Sequence, residues 1–338
     1  MTGFERVKAV FKRQKPDRIP FYPIVSMLAA ELIGADAKTY YTDLSRFADA
    51  HIALHQELGQ DIVVLMGDLY MEVEAMGAEV EFVEHDIPRL RSYLLDDKTS
   101  LASLEVPDPQ KMGRLPDYLE ACSKVSGAVT DCPVGGVICG PWTLATNLRG
   151  AENLIVDTAT DPDFVHRLMG LTVETTKRFG EAVSSAGAGL SLSEAPASIS
   201  LISPKIFREF VLPYEKEVIS HLRAKRVGVT VHICGFIEPI MEDIASMGAV
   251  AFSMDAPSSL EKMFEASQGK LVLIGNVPTG VFVDGEREDI EKEIRRCLAV
   301  GKQRDNYILS SGCELSPRAD FKKVKWFCEI ASVLGRYD

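Results

Sequence analysis

Short runs that are apolar on both faces alternate with longer runs of helical period along the whole chain. The short runs are RIPFYPIV (18–25), DIVVLMGD (61–68), PVGGVICG (133–140), GLSLSEA (189–195), RVGVTVHICG (226–235), AVAFSMD (249–255), LVLIGNV (271–277) and NYILSSGC (306–313). Their lack of polar alternation predicts strands covered on both sides, as in a parallel sheet. The periodicity of the intervening segments predicts helices over 44–58, 163–187, 204–225, 257–269 and 287–302. Start signals stand at Asp43, at Ser203-Pro204 and at Pro257-Ser258.

Eight strand–helix units in sequence predict an α/β fold, a (β/α)8 TIM barrel, which needs about 250 residues before insertions. The surplus falls between strands 2 and 3 as an insertion of about 71–130, with short strands of its own around Val80–Val83 and Leu90–Leu94. Phe4, Val7, Val10 and Phe11 mark an N-terminal helix of about 3–14 that would cap the barrel floor. No Pro-, Gly- or Ser-rich linker divides the chain, so residues 1–338 are read as one domain. A doubly wound open sheet is the competing architecture. No GxGxxG or GxxxxGK[ST] follows any strand, which weakens its nucleotide-binding form.

Composition narrows the field. The 338 residues carry a net charge of −12, which argues against nucleic acid and membrane surfaces as partners. No apolar run approaches the length of a bilayer span, and the basic N-terminus lacks the apolar core of an export signal. Seven cysteines, an odd number, do not form a disulfide framework, and a cytoplasmic location is expected.

The strand ends, where a barrel of this kind keeps its active site, carry the candidate chemistry. They bear Asp68, Glu194, His232 with Cys234, Asp255, Asn276 and Cys313. In a strand, positions i and i+2 share a side, so His232 and Cys234 face one way together. Thiolate plus imidazole suits Zn2+, and three protein ligands leave a fourth position for chemistry; the metal ligands are therefore expected to be His232, Cys234 and Cys313. Glu194, Asp255 and Asn276 are expected to serve that centre, by orienting a ligand or, for Glu194, by closing the fourth position at rest. Cys122, Cys132, Cys139, Cys297 and Cys328 are read as packing residues, and His51, His55, His166 and His221 as helix-borne surface or packing histidines.

Several longer stretches carry a resemblance. They are ERVKAVFKRQKPDRIPFYP, YMEVEAMGAEVEF, GPWTLAT, SLSEAPASISLISPKIFREFVLPYEKEV, HICG, GNVPT and SSGCELSP. Over nearly its whole length the chain resembles the uroporphyrinogen decarboxylase superfamily. It departs from the decarboxylases where they carry an arginine-rich stretch after the first strand, here SMLAAEL. It departs again at Asn147, where they have tyrosine, and at Cys313, where they have histidine. HxC on the fifth strand with cysteine on the eighth is instead similar to the methylcobamide:coenzyme M methyltransferase branch.

That resemblance implies a zinc-dependent methyltransferase moving a methyl group between a methyl-corrinoid, carried on a separate corrinoid protein, and a zinc-activated thiol such as coenzyme M. The chain has no D-x-H-x-x-G corrinoid-binding signature, consistent with a separate carrier. Arg149 and Arg318 are the nearest candidate cations for a sulfonate. Three alternatives stay open: transfer in the donor direction from a methylated substrate to Co(I) corrinoid, a uroporphyrinogen decarboxylase-type reaction, and a non-catalytic zinc-binding barrel.

Overall fold

All eight apolar runs form strands, and all eight are parallel in one sheet. The computed structural model describes residues 1–337. In chain order the strands are β1 (Phe21–Tyr22), β2 (Val63–Leu65), β3 (Val80–Glu81), β4 (Arg89–Leu90), β5 (Val134–Cys139), β6 (Gly189–Ser193), β7 (Val229–Ile233), β8 (Ala251–Met254), β9 (Val272–Val277) and β10 (Tyr307–Ser311). Hydrogen bonding runs in the order β1-β10-β9-β8-β7-β6-β5-β2, and helices cover the outside, giving the expected (β/α)8 barrel. β3 and β4 stand apart as a small antiparallel ribbon with Val80 opposite Leu90.

Alternation along β7 shows how the sequence divides its two faces. Val229, Val231 and Ile233 are buried against the outer helices, whereas Thr230 and His232 are part-exposed toward the barrel axis. The inner face has its own apolar cluster of Tyr22, Ile24, Ala251, Val272, Ile274 and Ile308. Val10 joins it from below, on the N-terminal helix Gly3–Phe11, whose start is fixed by a reciprocal cap between Thr2 and Glu5.

Helix starts follow local chemistry. Asp43 accepts the Arg46 N–H at 3.0 Å to begin Leu44–Leu58, and Ser203 accepts the Ile206 N–H at 3.2 Å to begin the helical run ending at Ala224. That run contains one π-turn at Phe207–Val211, just before Pro213, whose ring nitrogen has no N–H to give the ladder. The helix expected over 257–269 is shorter, Leu260–Ser267. Its cap is Ser259, while the neighbouring Ser258 hydroxyl accepts the Ile237 N–H at 2.9 Å. The excursion after β2 is also shorter than its sequence suggests. Its last helix, Leu115–Ala128, packs on Leu44–Leu58 and on β5 as an ordinary outer barrel helix. Among the described residues no helix is long and apolar enough to cross a membrane.

No ladder joins β1 to β2, the two ends of the hydrogen-bonded order, and Asp61 bridges that seam. Its N–H donates to the Phe21 carbonyl at 2.9 Å, and its carboxylate accepts the Phe21 N–H at 2.9 Å. The same carboxylate, buried, receives Arg18 at 2.5 and 3.1 Å and Arg6 at 3.0 Å. Removing one partner of a buried pair leaves the other charge uncompensated. Asp61→Asn is therefore expected to lower stability by about 3 kcal/mol, read as a shift of the urea midpoint at unchanged slope. An unmoved midpoint would mean that the seam is held by its backbone contact alone.

Candidate metal centre at the barrel mouth

His232, Cys234 and Cys313 meet at the C-terminal end of the barrel as three mutual neighbours. His232 Nε2 lies 3.2 Å from Cys234 Sγ and 3.7 Å from Cys313 Sγ, and the two sulfurs are 3.4 Å apart as free thiols. Bonds of about 2.0–2.3 Å meeting at tetrahedral angles put ligand atoms about 3.5–3.8 Å apart. The observed triangle needs only small side-chain rotations to match. His232 Nδ1 is 3.0 Å from the Ser253 hydroxyl, on the strand beside it. With Nδ1–H donating there, the Nε2 lone pair is left facing the thiols. The two thiols share one proton in effect. The Cys234 thiol donating to Cys313, together with His232, draws the Cys313 pKa down to about 5, while Cys234 itself is pushed up. Burial works most strongly, to lower the pKa of His232, but the hydrogen bond to Cys313, the charges of Cys313 and Asp255 and a bond to the Ser253 backbone together outweigh it, so the net shift is upward.

Two glycine turns deliver the thiols. Directly after Cys234, Gly235 has φ +67°, and a Cβ there would lie 2.8 Å from both the Ser198 and Ser200 hydroxyls. Before Cys313, a Cβ on Gly312 would lie 2.8 Å from the Ala256 nitrogen. Asp255 ties the first of these turns to the loop after β8: its carboxylate accepts Gly235 N–H at 2.8 Å and Ala256 N–H at 2.7 Å. Asn276, fully buried, donates to the carbonyls of Asp255 at 3.2 Å and Ser258 at 3.0 Å. Asp255 thus braces the turn after Cys234, and Asn276 braces the loop after β8 behind it.

Glu194 stands outside the cluster, for a reason of parity. Ser193 is the register partner of His232 and lines the barrel axis with it. Glu194, one residue on, turns outward and is fully buried beneath the helix Pro141–Arg149. One carboxylate oxygen accepts Trp142 N–H at 2.9 Å; the other accepts the Thr143 N–H at 2.7 Å and its hydroxyl at 2.8 Å. It satisfies the orphan donors of that helix start and complements its dipole. Beside it, burial, then the charge of Glu194, pushes the Glu215 carboxyl well above the usual carboxylate range. Asp68 likewise binds a loop, pairing with Arg114 at 2.6 and 3.2 Å. The five cysteines read as packing residues, Cys139 included, are all buried.

Sequence reasoning missed Ser253 and Glu314. Glu314 follows Cys313 directly and receives the Ser26 hydroxyl. Burial raises its pKa to about 7. Adjacency to a ligand was the available signal for Glu314, and strand pairing, which only the structure supplies, for Ser253. His232, Cys234, Cys313 and Glu314 line a cavity of about 470 Å3 that continues down the barrel axis, so the cluster has an open side.

A uroporphyrinogen decarboxylase (URO-D) family profile matches residues 2–333, and the chain belongs to that family. Among curated proteins it is 24% identical to the methylcobamide:CoM methyltransferase MtbA of Methanosarcina mazei, covering 96% of each chain. It is 26% identical to the methylcobamide:CoM methyltransferase MtaA of Methanosarcina barkeri, covering 95% of this chain and 94% of that protein. Among solved structures, a methyltransferase from Methanosarcina mazei superposes with a TM-score of 0.90 at 25% identity, covering 99% of each chain.

Glu194→Gln turns amide hydrogens toward backbone donors. Its expected effect is a stability loss of about 2 kcal/mol with the bound-metal stoichiometry unchanged, measured by denaturation and elemental analysis. A loss of metal at retained fold would instead place Glu194 in the coordination shell.

Proposed function

We propose that this protein is a zinc-dependent methyltransferase that passes a methyl group from a methyl-corrinoid, presented by a separate protein, to a small thiol. The observation that carries the reading is the His232–Cys234–Cys313 triangle with its open side toward the axial cavity. Relatives named as methylcobamide:CoM methyltransferases along almost the full chain support it.

His232, Cys234 and Cys313 would hold the ion, with nitrogen and sulfur donors suited to Zn2+. Bound there, zinc would lower the pKa of an incoming thiol so that it stays a thiolate at neutral pH. Two cysteine thiolates and a neutral imidazole already cancel the charge of the ion, so the substrate sulfur would keep its electron density. With its Nδ1–H donated to the Ser253 hydroxyl, the imidazole would keep Nε2 for the ion, and the Gly235 and Gly312 turns set the positions of the two sulfurs. The substrate sulfur attacks the methyl carbon: the S–C bond forms, the Co–C bond breaks, and its electron pair stays on cobalt. The protein's contribution to that step is alignment of sulfur, carbon and cobalt at near-attack distance.

His232→Ala, Cys234→Ser and Cys313→Ser are each expected to lower zinc content from one per chain to a small fraction. Methylation of thiols by methylcobalamin should fall with it, by about a hundredfold or more. Ser253→Ala should keep the ligands but weaken zinc about 10–100-fold, seen by chelator competition. Full turnover in a zinc-free triple variant would defeat the assignment.

A further inference from the structure

Barrels of this class ordinarily fill their axis with layers of branched side chains. Here the filling is uneven: Tyr22, Ile24, Ile274 and Ile308 form a buried wall, continued by Ile62 and Val64, with Val137 as a branched residue on the facing side. The opposite side, on β5, β6 and β7, presents Gly135, Ser191, Thr230 and, at the floor, Gly189 and Gly228. Packing does not impose glycine at 135, where an added Cβ would find its nearest atom, the Val63 carbonyl oxygen, at 4.0 Å. Its neighbour Gly136 faces outward, and a Cβ there would collide with Val183 at 2.7 Å. The small inner residues therefore keep open the cavity of about 470 Å3 that runs from Cys313 and Glu314 to Val7 and Phe11 beneath. That is about three times the ~150 Å3 of an apolar cavity that takes up one benzene.

The charge of this space is as informative as its size. Among the described residues no lysine or arginine lines it, and its carboxyl group is that of Glu314 beside Cys313. Arg149, a candidate cation from the sequence, is buried elsewhere, bound to Asp157 at 2.7 Å and to the carbonyls of Leu95 and Asp96 at 2.6 and 3.0 Å. Arg114 is engaged by Asp68 and Glu74, and Arg318 is exposed. An anionic thiol would find no cation in the cavity and a carboxyl group at its entrance. An aliphatic or aromatic body would find a wall of matching character.

We infer that the small substrate is an uncharged thiol with an alkyl or aryl body, its sulfur at the metal ligands and its body lying along the barrel axis, rather than a short anionic thiol. This rests on the methyltransferase reading above. The test is calorimetry on zinc-loaded protein with ethanethiol, butanethiol, hexanethiol, 2-mercaptoethanesulfonate and hexanol, alongside methylcobalamin-dependent methylation of the four thiols. Affinity should rise about threefold per added methylene, with 2-mercaptoethanesulfonate at least about tenfold weaker than butanethiol. Gly135→Leu, which fills the axis, should flatten the chain-length series while leaving ethanethiol unaffected; its thermal midpoint checks the fold. A flat series in the unaltered protein, or 2-mercaptoethanesulfonate as the best thiol, overturns the inference and leaves the methyltransferase reading standing. A rising series that includes hexanol, with no thiol methylated, keeps the apolar site and removes the methyltransferase reading.

Discussion

One buried carboxylate holds together what the rest of the molecule relies on. Asp61 binds Arg6, Arg18 and the Phe21 amide where β1 and β2 lack a ladder. Closing that seam bends eight strands round one axis, and only the bend brings the end of β7 beside the end of β10. The N-terminal helix belongs to the same device, since Arg6 and Val10 lie four residues, about one helical turn, apart, one in the seam and the other under the axis. The His232–Cys234–Cys313 cluster is thus a product of closure, assembled from strands that an open sheet would hold apart.

Above that framework, strand parity assigns the work. Inward positions carry His232 and the residues that set the shape of the axis, Thr230, Ser193 and Ser253 among them. Outward positions carry structural charge, as Glu194 shows by anchoring the GPWTLAT helix start. Two motifs separate in sequence, SLSEAP and GPWTLAT, are therefore one hydrogen-bonded unit. Asp255 and Asn276 link the loops after β7, β8 and β9 in the same way.

Much of this was legible from the chain alone. Double-sided apolar runs gave eight strands, and the spacing of His232 and Cys234 gave two side chains on one face. Glu194 was misplaced because a strand-end residue was assigned to the mouth without counting its parity against His232. The extent of the excursion was overread because Leu115–Ala128, a barrel helix, follows an irregular segment with no clear stop signal. Ser253 was invisible because its role depends on a cross-strand register. The open axis was visible as Gly135, Gly189 and Gly228, but glycine in a strand signals a bulge or a ligand with equal force.

The separation of the two sulfurs proposed to hold the ion has a thermodynamic side. Cys234 and Cys313 lie 79 residues apart, with β8, β9 and β10 between them. An ion gripping both acts as a staple across that whole loop, present in the native chain and absent in the unfolded one. Binding and folding are then linked by mass action: at a hundredfold excess over its dissociation constant, such an ion adds about 2.7 kcal/mol to stability. The resistance of this barrel to heat would in that way report the metal supply of its surroundings.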